Sequence, residues 1–158
     1  MLVSQMFQKR KDPLFVPLHH RYFMCFVSNC CLIAGIHCYR RGFYALSASP
    51  LMTYASSINY WRNPVYGTRR NIDIFFVTGS LTLHTILSLK IDNMRVHYLY
   101  LTPIVTLLYC TSWVFYRHNH YWCSTLAHGA IHVVANIMNV MLYEGLSKAL
   151  LAPNSTDW

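Results

Sequence analysis

Acidic residues are scarce in this chain, with five Asp and Glu among 158 residues and only 11% charged residues in all. Soluble domains carry about 25% charged residues, so an ordinary soluble domain is excluded as the first reading. Internal repeats, low-complexity tracts and flexible linkers are also missing, which excludes a solenoid or a tethered array. The six cysteines, Cys25, Cys30, Cys31, Cys38, Cys110 and Cys123, form no Cys-x-x-Cys pair and fall in or beside apolar segments. They read as small buried thiols rather than a disulfide framework or a zinc cluster.

What the chain does have is apolar length, since 54% of its residues are hydrophobic. Five segments, at about 22–39, 43–61, 71–90, 97–116 and 121–143, meet the roughly 17 to 25 residues that a membrane span requires. The expected fold is therefore all-α, a multi-pass transmembrane bundle of about five spans forming a single integral membrane domain over residues 1–158. A basic flank occupies 1–21, the bundle 22–143 and a tail 144–158. Short connections make consecutive helices antiparallel neighbours.

The net charge of +8 does not point to nucleic acid, because Lys and Arg sit in the flanks and loops between apolar segments rather than on one soluble face. On alternating sides, Lys9, Arg10, Lys11, Arg21, Arg62, Arg69, Arg70 and Arg117 fall with the N-terminus. Arg40, Arg41, Lys90, Arg95 and Lys148 fall opposite. That bias places the N-terminus in the cytoplasm. The sequon Asn154-Ser155-Thr156 falls on the far side, as such an acceptor would. A signal peptide ending near "ALSAS", Ala45 to Ser49, is the competing reading of the first apolar run. Arg40 and Arg41 separate that run from the site, so a retained first helix is expected.

Polar residues inside the apolar segments follow helical spacing. In the last segment Tyr121, Thr125, His128, His132, Asn136, Asn139 and Tyr143 share one stripe. The third repeats this with Asp73, Ser80, His84 and Ser88, and the second with Ser49, Thr53 and Ser57. Hydrocarbon offers no hydrogen bonds, so these stripes should meet inside the bundle. Ser57 and Asp73 flank the same loop, and His128, His132 and His84 lie at comparable depth. His37 lies toward the opposite end.

Two imidazoles at spacing four can hold one zinc ion from successive turns, and a catalytic zinc takes three protein ligands and a water. His128 and His132 supply two, with His84 as the candidate third. Asp73 would orient or deprotonate the water and Ser57 would donate to the oxyanion.

The order of Ser57, Asp73 and His128-x-x-x-His132 resembles the CREST superfamily of membrane hydrolases, which includes alkaline ceramidases and the progestin and adipoQ receptors. The resemblance implies a helical bundle with an intramembrane zinc site that hydrolyses lipid amide or related bonds. It covers three short motifs from 57 to 132, and departs in two places. The family's Ser-x-x-x-His becomes Ser57-x-x-x-Trp61 here, and five spans replace seven.

Other readings of the same residues stand beside this one. His128 and His132 can hydrogen-bond across a helix interface to Ser57, Thr53 or Tyr60, which makes the chain a non-catalytic subunit of a membrane complex with a protein partner. His84 and His132, on different helices, can supply axial ligands to haem. Asp73 can favour a helix start after Asn71 and pair with Arg69 or Arg70. The loop from Asn59 to Asp73, with Trp61, Tyr60, Tyr66 and three arginines, suits anchoring to membrane lipids or the mouth of a site.

Overall fold

The computed structural model describes residues 16–151. Within them the chain forms five α-helices and no strand: α1 (Leu18–Arg40), α2 (Tyr44–Trp61), α3 (Thr68–Ser88), α4 (Asp92–Arg117) and α5 (Tyr121–Leu151). The expected segments are all present. Lys9, Arg10, Lys11 and the sequon Asn154-Ser155-Thr156 lie outside the described residues.

Two of the turns are closed by local backbone chemistry. Gly42 takes φ 84°, and the N–H groups of Gly42 and Phe43 bond back to Tyr39 and Cys38, satisfying the last carbonyls of α1. Asn119 does the same after α4 at φ 63°, with Asn119 and His120 bonding to Tyr116 and Phe115. Asparagine is one of the few side chains that tolerate this left-handed conformation. Neither turn has slack, so successive helices reverse direction and pack side by side.

The five helices close into a ring. α1 packs on α2 and α5, α5 on α4, and α2 on α3. Small residues permit the close approaches: a Cβ at Gly129 would stand 2.8 Å from the Phe23 ring of α1, and one at Gly35 would stand 2.6 Å from the Leu51 side chain of α2. The contact of α3 with α4 is thinner, and that of α3 with α5 thinner still. α3 and α4 meet near their connecting turn, where Thr85 and Thr102 are hydrogen-bonded at 3.3 Å.

The polarity of this bundle is inverted relative to a soluble one. Phe26, Phe75, Leu107, Ile137 and Leu151 are exposed, whereas Ser28, Ser57, His84 and Ser88 are almost wholly buried. An apolar exterior around a hydrogen-bonded interior is the arrangement that a bilayer selects. Three helices, α1, α4 and α5, are long and apolar enough to cross a membrane. α2 and α3 fall short of that standard because the same serines, threonines and Asp73 that form their stripes dilute their hydropathy.

The last helix differs from its expected extent. It runs to Leu151 rather than ending near Tyr143. Glu144 explains the continuation, because its carboxylate accepts from His37 Nε2 at 2.8 Å and from the Arg41 guanidinium, tying the extended turn to the end of α1. The acid that marks the end of the apolar run is thus a partner for α1 and not a helix stop.

Candidate functional site

The polar stripes of α2, α3 and α5 do converge. Thr53, Ser57, Asp73, His84, Ser88, His132, Asn136 and Asn139 are all buried. Thr53, Asp73, His132, Asn136 and Asn139 among them border a cavity of about 350 Å³. Its polar wall carries Asp73 from α3, His128, His132, Asn136 and Asn139 from α5, Thr53 from α2 and Cys31 from α1. Its apolar wall is mostly α4, with Leu101 and Val105, and α3, with Val77 and Leu81.

Asp73 is held by two hydroxyls of α2. Ser57 Oγ donates to Asp73 Oδ1 at 2.7 Å and Ser56 Oγ donates to the same oxygen at 2.9 Å. A carboxylate withdrawn from bulk solvent needs such donors, because desolvation otherwise disfavours its charge. This arrangement overturns the expected helix-start role. Gly67 precedes the helix, no acid stands in the first turn, and Asp73 sits in the second turn turned inward. It makes no ion pair with Arg69 or Arg70.

The histidines divide into two kinds. His84 Nδ1 lies 2.6 Å from the Ser80 carbonyl, which can only accept, so that nitrogen carries the proton. Nε2 of the neutral ring then accepts the Tyr143 hydroxyl at 2.6 Å. The lone pair that would bind a metal or a haem iron is already engaged, and His84 is not part of the cavity wall. The structure therefore does not bring His84 to the other two.

His128 and His132 do stand together on the wall, with ring centroids 5.7 Å apart. Two imidazoles on one tetrahedral zinc, with Zn–N near 2 Å, would have centroids about 5 Å apart, a little less than this separation. His132 Nδ1 is 3.5 Å from Cys31 Sγ, which in turn accepts from Asn136 Nδ2 at 3.1 Å. His128 contacts the ring of Trp61 edge-on at 5.3 Å between centroids. Among the described residues no three His, Cys, Asp or Glu side chains converge closely enough to hold a metal ion.

Trp61 lies beside the pair. It stands one turn beyond Ser57 on α2, packs against His128, and its buried indole N–H has no hydrogen-bond partner among the described residues. An indole donates only and cannot ligate a metal.

Some participants escaped the sequence reading. Ser56 is adjacent to the stripe residue Ser57, and nothing in the spacing says that both would reach one carboxylate. Cys31 is a small buried thiol as its segment predicts, and its sulfur also links His132 to Asn136. Tyr98, whose hydroxyl donates to Asn139 at 2.9 Å, lies in a helix for which no polar stripe was assigned. Tyr143 was on the stripe, but its partner His84 could be found only from helix orientation. No family model, no curated protein and no solved structure matches this chain.

Proposed function

We propose that this chain is an intramembrane hydrolase acting on lipid amide or related bonds, with membrane lipids as its substrates. The observation that carries the proposal is the shared cavity. Asp73, pinned by Ser57 and Ser56, and the pair His128 and His132 line one mostly apolar space. Apolar clefts with a few convergent polar groups are the usual form of a small-molecule site, and a lipid enters such a space without leaving hydrocarbon.

The chemistry follows from what each group can do. Asp73 Oδ1 is occupied by the two serines, and Oδ2 has no hydrogen bond among the described residues. That oxygen is the base available to orient a water and take its proton as it attacks a carbonyl. Ser57 and Ser56 position the carboxylate, which spends the Ser57 hydroxyl on Asp73 rather than on an oxyanion. His128 and His132 are the residues that would hold zinc, which when bound supplies a Lewis acid beside the carbonyl. The His132–Cys31–Asn136 chain fixes the orientation of the second ring.

Metal content of the untagged protein in mild detergent, by elemental mass spectrometry, tests the proposal together with hydrolysis of lipid amides. About one zinc per chain, lost in His128→Ala and in His132→Ala without loss of the bundle, is the expected result. Stoichiometric metal retained in either variant would sink the ligand assignment.

A second reading has its own observation. Trp61, which cannot ligate a metal, packs on His128, and His84 is committed to Tyr143. On that reading the stripes specify helix packing, and the chain is a subunit of a membrane complex. A metal-free, inactive protein that copurifies with one stoichiometric partner is its signature.

A further inference from the structure

The cavity has a mouth, and the mouth has a charge. Ile74 and Thr78 of α3 and Thr106 and Tyr109 of α4 line the cavity and are also exposed. The opening is therefore the seam between α3 and α4. These helices touch at Thr85 and Thr102 near their turn, and the cavity separates them above it. A ligand can enter sideways from hydrocarbon, without crossing an aqueous vestibule.

Along α3 the cavity wall runs from Asp73 to Leu81, roughly 12 Å at the helical rise of about 1.5 Å per residue. Directly above its polar end stand Arg69 and Arg70, four and three residues before Asp73 and so on the same side of the helix. Arg62 is in the loop that precedes them. None of the three pairs with an acidic side chain among the described residues, and Arg70 rests on the Tyr66 ring at 5.5 Å. Guanidinium groups with no carboxylate partner among the described residues, one turn from the end of an apolar cavity, are matched to an anionic headgroup. At about 350 Å³ the space is near the lower end of the small-molecule range of about 300 to 1,000 Å³. That volume suits one chain rather than two.

We propose that the cavity binds a single-chain anionic amphiphile, its chain entering through the α3–α4 seam and its phosphate or carboxylate held by Arg69 and Arg70. This rests on the hydrolase reading only for what is then done to the ligand. The chain would lie along Val77, Leu81 and Val105, and the bond next to the headgroup would pass Asp73 and His128.

Binding without turnover separates the two ideas. The full chain, in nanodiscs of neutral phosphatidylcholine, is titrated with three hexadecyl probes: an ether-linked glycerol phosphate, the fatty acid, and the uncharged ether glycerol. Both anions are expected to bind at one per chain and roughly tenfold tighter than the neutral probe, as for one lost charge-assisted hydrogen bond. The order of the two anions then identifies phosphate or carboxylate. Arg69→Gln with Arg70→Gln should erase the preference and leave neutral binding unchanged. Thr106→Trp, at the exposed rim, should block all three probes, and Leu81→Trp does the same from inside. Equal affinity for the neutral probe, preference surviving in the arginine variant, or binding surviving in both tryptophan variants overturns the inference. An amide-linked counterpart is assayed for hydrolysis in the same discs. Ether binding without hydrolysis removes the hydrolase reading alone, and hydrolysis without anion preference removes the present inference alone.

Discussion

Replacing Asp73 by asparagine separates what the carboxylate does for the fold from what it does for chemistry. In the native protein two hydroxyls donate to one carboxylate oxygen, from Ser57 at 2.7 Å and Ser56 at 2.9 Å, and Ser57 is fully buried. A hydrogen bond to a charged group contributes about 1.5–3 kcal/mol, against about 0.5–1.5 kcal/mol for a neutral one. Ser57→Ala should therefore cost about 1.5–3 kcal/mol, which for a chain of this size lowers Tm by roughly 3–12 °C. In the Asp73→Asn background an amide carbonyl still accepts from both serines, so the same Ser57→Ala change should cost only about 0.5–1.5 kcal/mol.

The assay is a double-mutant cycle read by thermal unfolding in detergent, with a coupling of about 1 kcal/mol expected between Ser57 and Asp73. Activity should behave differently from stability. Asp73→Asn keeps the shape and the acceptor but loses the base, so hydrolysis should fall by about a hundredfold to ten-thousandfold, far more than the weakening of two hydrogen bonds to a neutral amide would explain. A Ser57→Ala cost that is unchanged in the Asp73→Asn background refutes the view that the serines serve a charge. An Asp73→Asn protein that keeps full hydrolysis refutes the view that this carboxylate is the base.

Three further outcomes follow from the same geometry. His128→Ala and His132→Ala should each reduce bound zinc from about one per chain to none, measured by elemental mass spectrometry with helicity retained by circular dichroism. Tyr143→Phe leaves His84 Nε2 buried without its donor, so it should cost about 1–3 kcal/mol in Tm measurements while leaving metal content unchanged. Trp61→His creates Ser-x-x-x-His and places a third imidazole beside His128, so on the zinc reading metal affinity should rise by roughly tenfold or more in a competition titration. Unchanged affinity would show that Trp61 does not occupy a ligand corner.

The helices were legible because bilayer length and polar spacing are both written along one dimension. Each of the five expected segments became a helix, and the α5 stripe from Thr125 to Tyr143 faces inward as 3.6-residue periodicity requires. The pairings were less legible, because they depend on how each helix is rotated against its neighbour. The sequence places His84 at the depth of His132, yet it meets Tyr143, eleven residues and so roughly 16 Å further along α5, outside the cavity wall. Asp73 looked like a helix-start acid because the start of α3 was placed at Asn71. The helix begins at Thr68, and three residues of shift carry the carboxylate from the helix end to the Ser56–Ser57 pair.

The weak hydropathy of α2 and α3 belongs to the same logic as the site. A helix carrying Asp73, Ser80, His84 and Ser88 on one face is poorly solvated by lipid on that face, and each unsatisfied polar group in hydrocarbon costs several kcal/mol. α1, α4 and α5 are apolar enough to cross a membrane by themselves. α3 becomes tolerable only when α2 offers Ser56 and Ser57 to Asp73, and α5 offers Tyr143 to His84. Insertion of α3 would thus depend on the polar network, and the cavity is the part of that network which packing does not close. Ser57→Ala should on this argument weaken insertion of α3 as well as the stability of the finished bundle. Protease protection of the α3–α4 turn during membrane insertion measures that step. Normal protection in a variant with lowered Tm would confine the serines to the folded state.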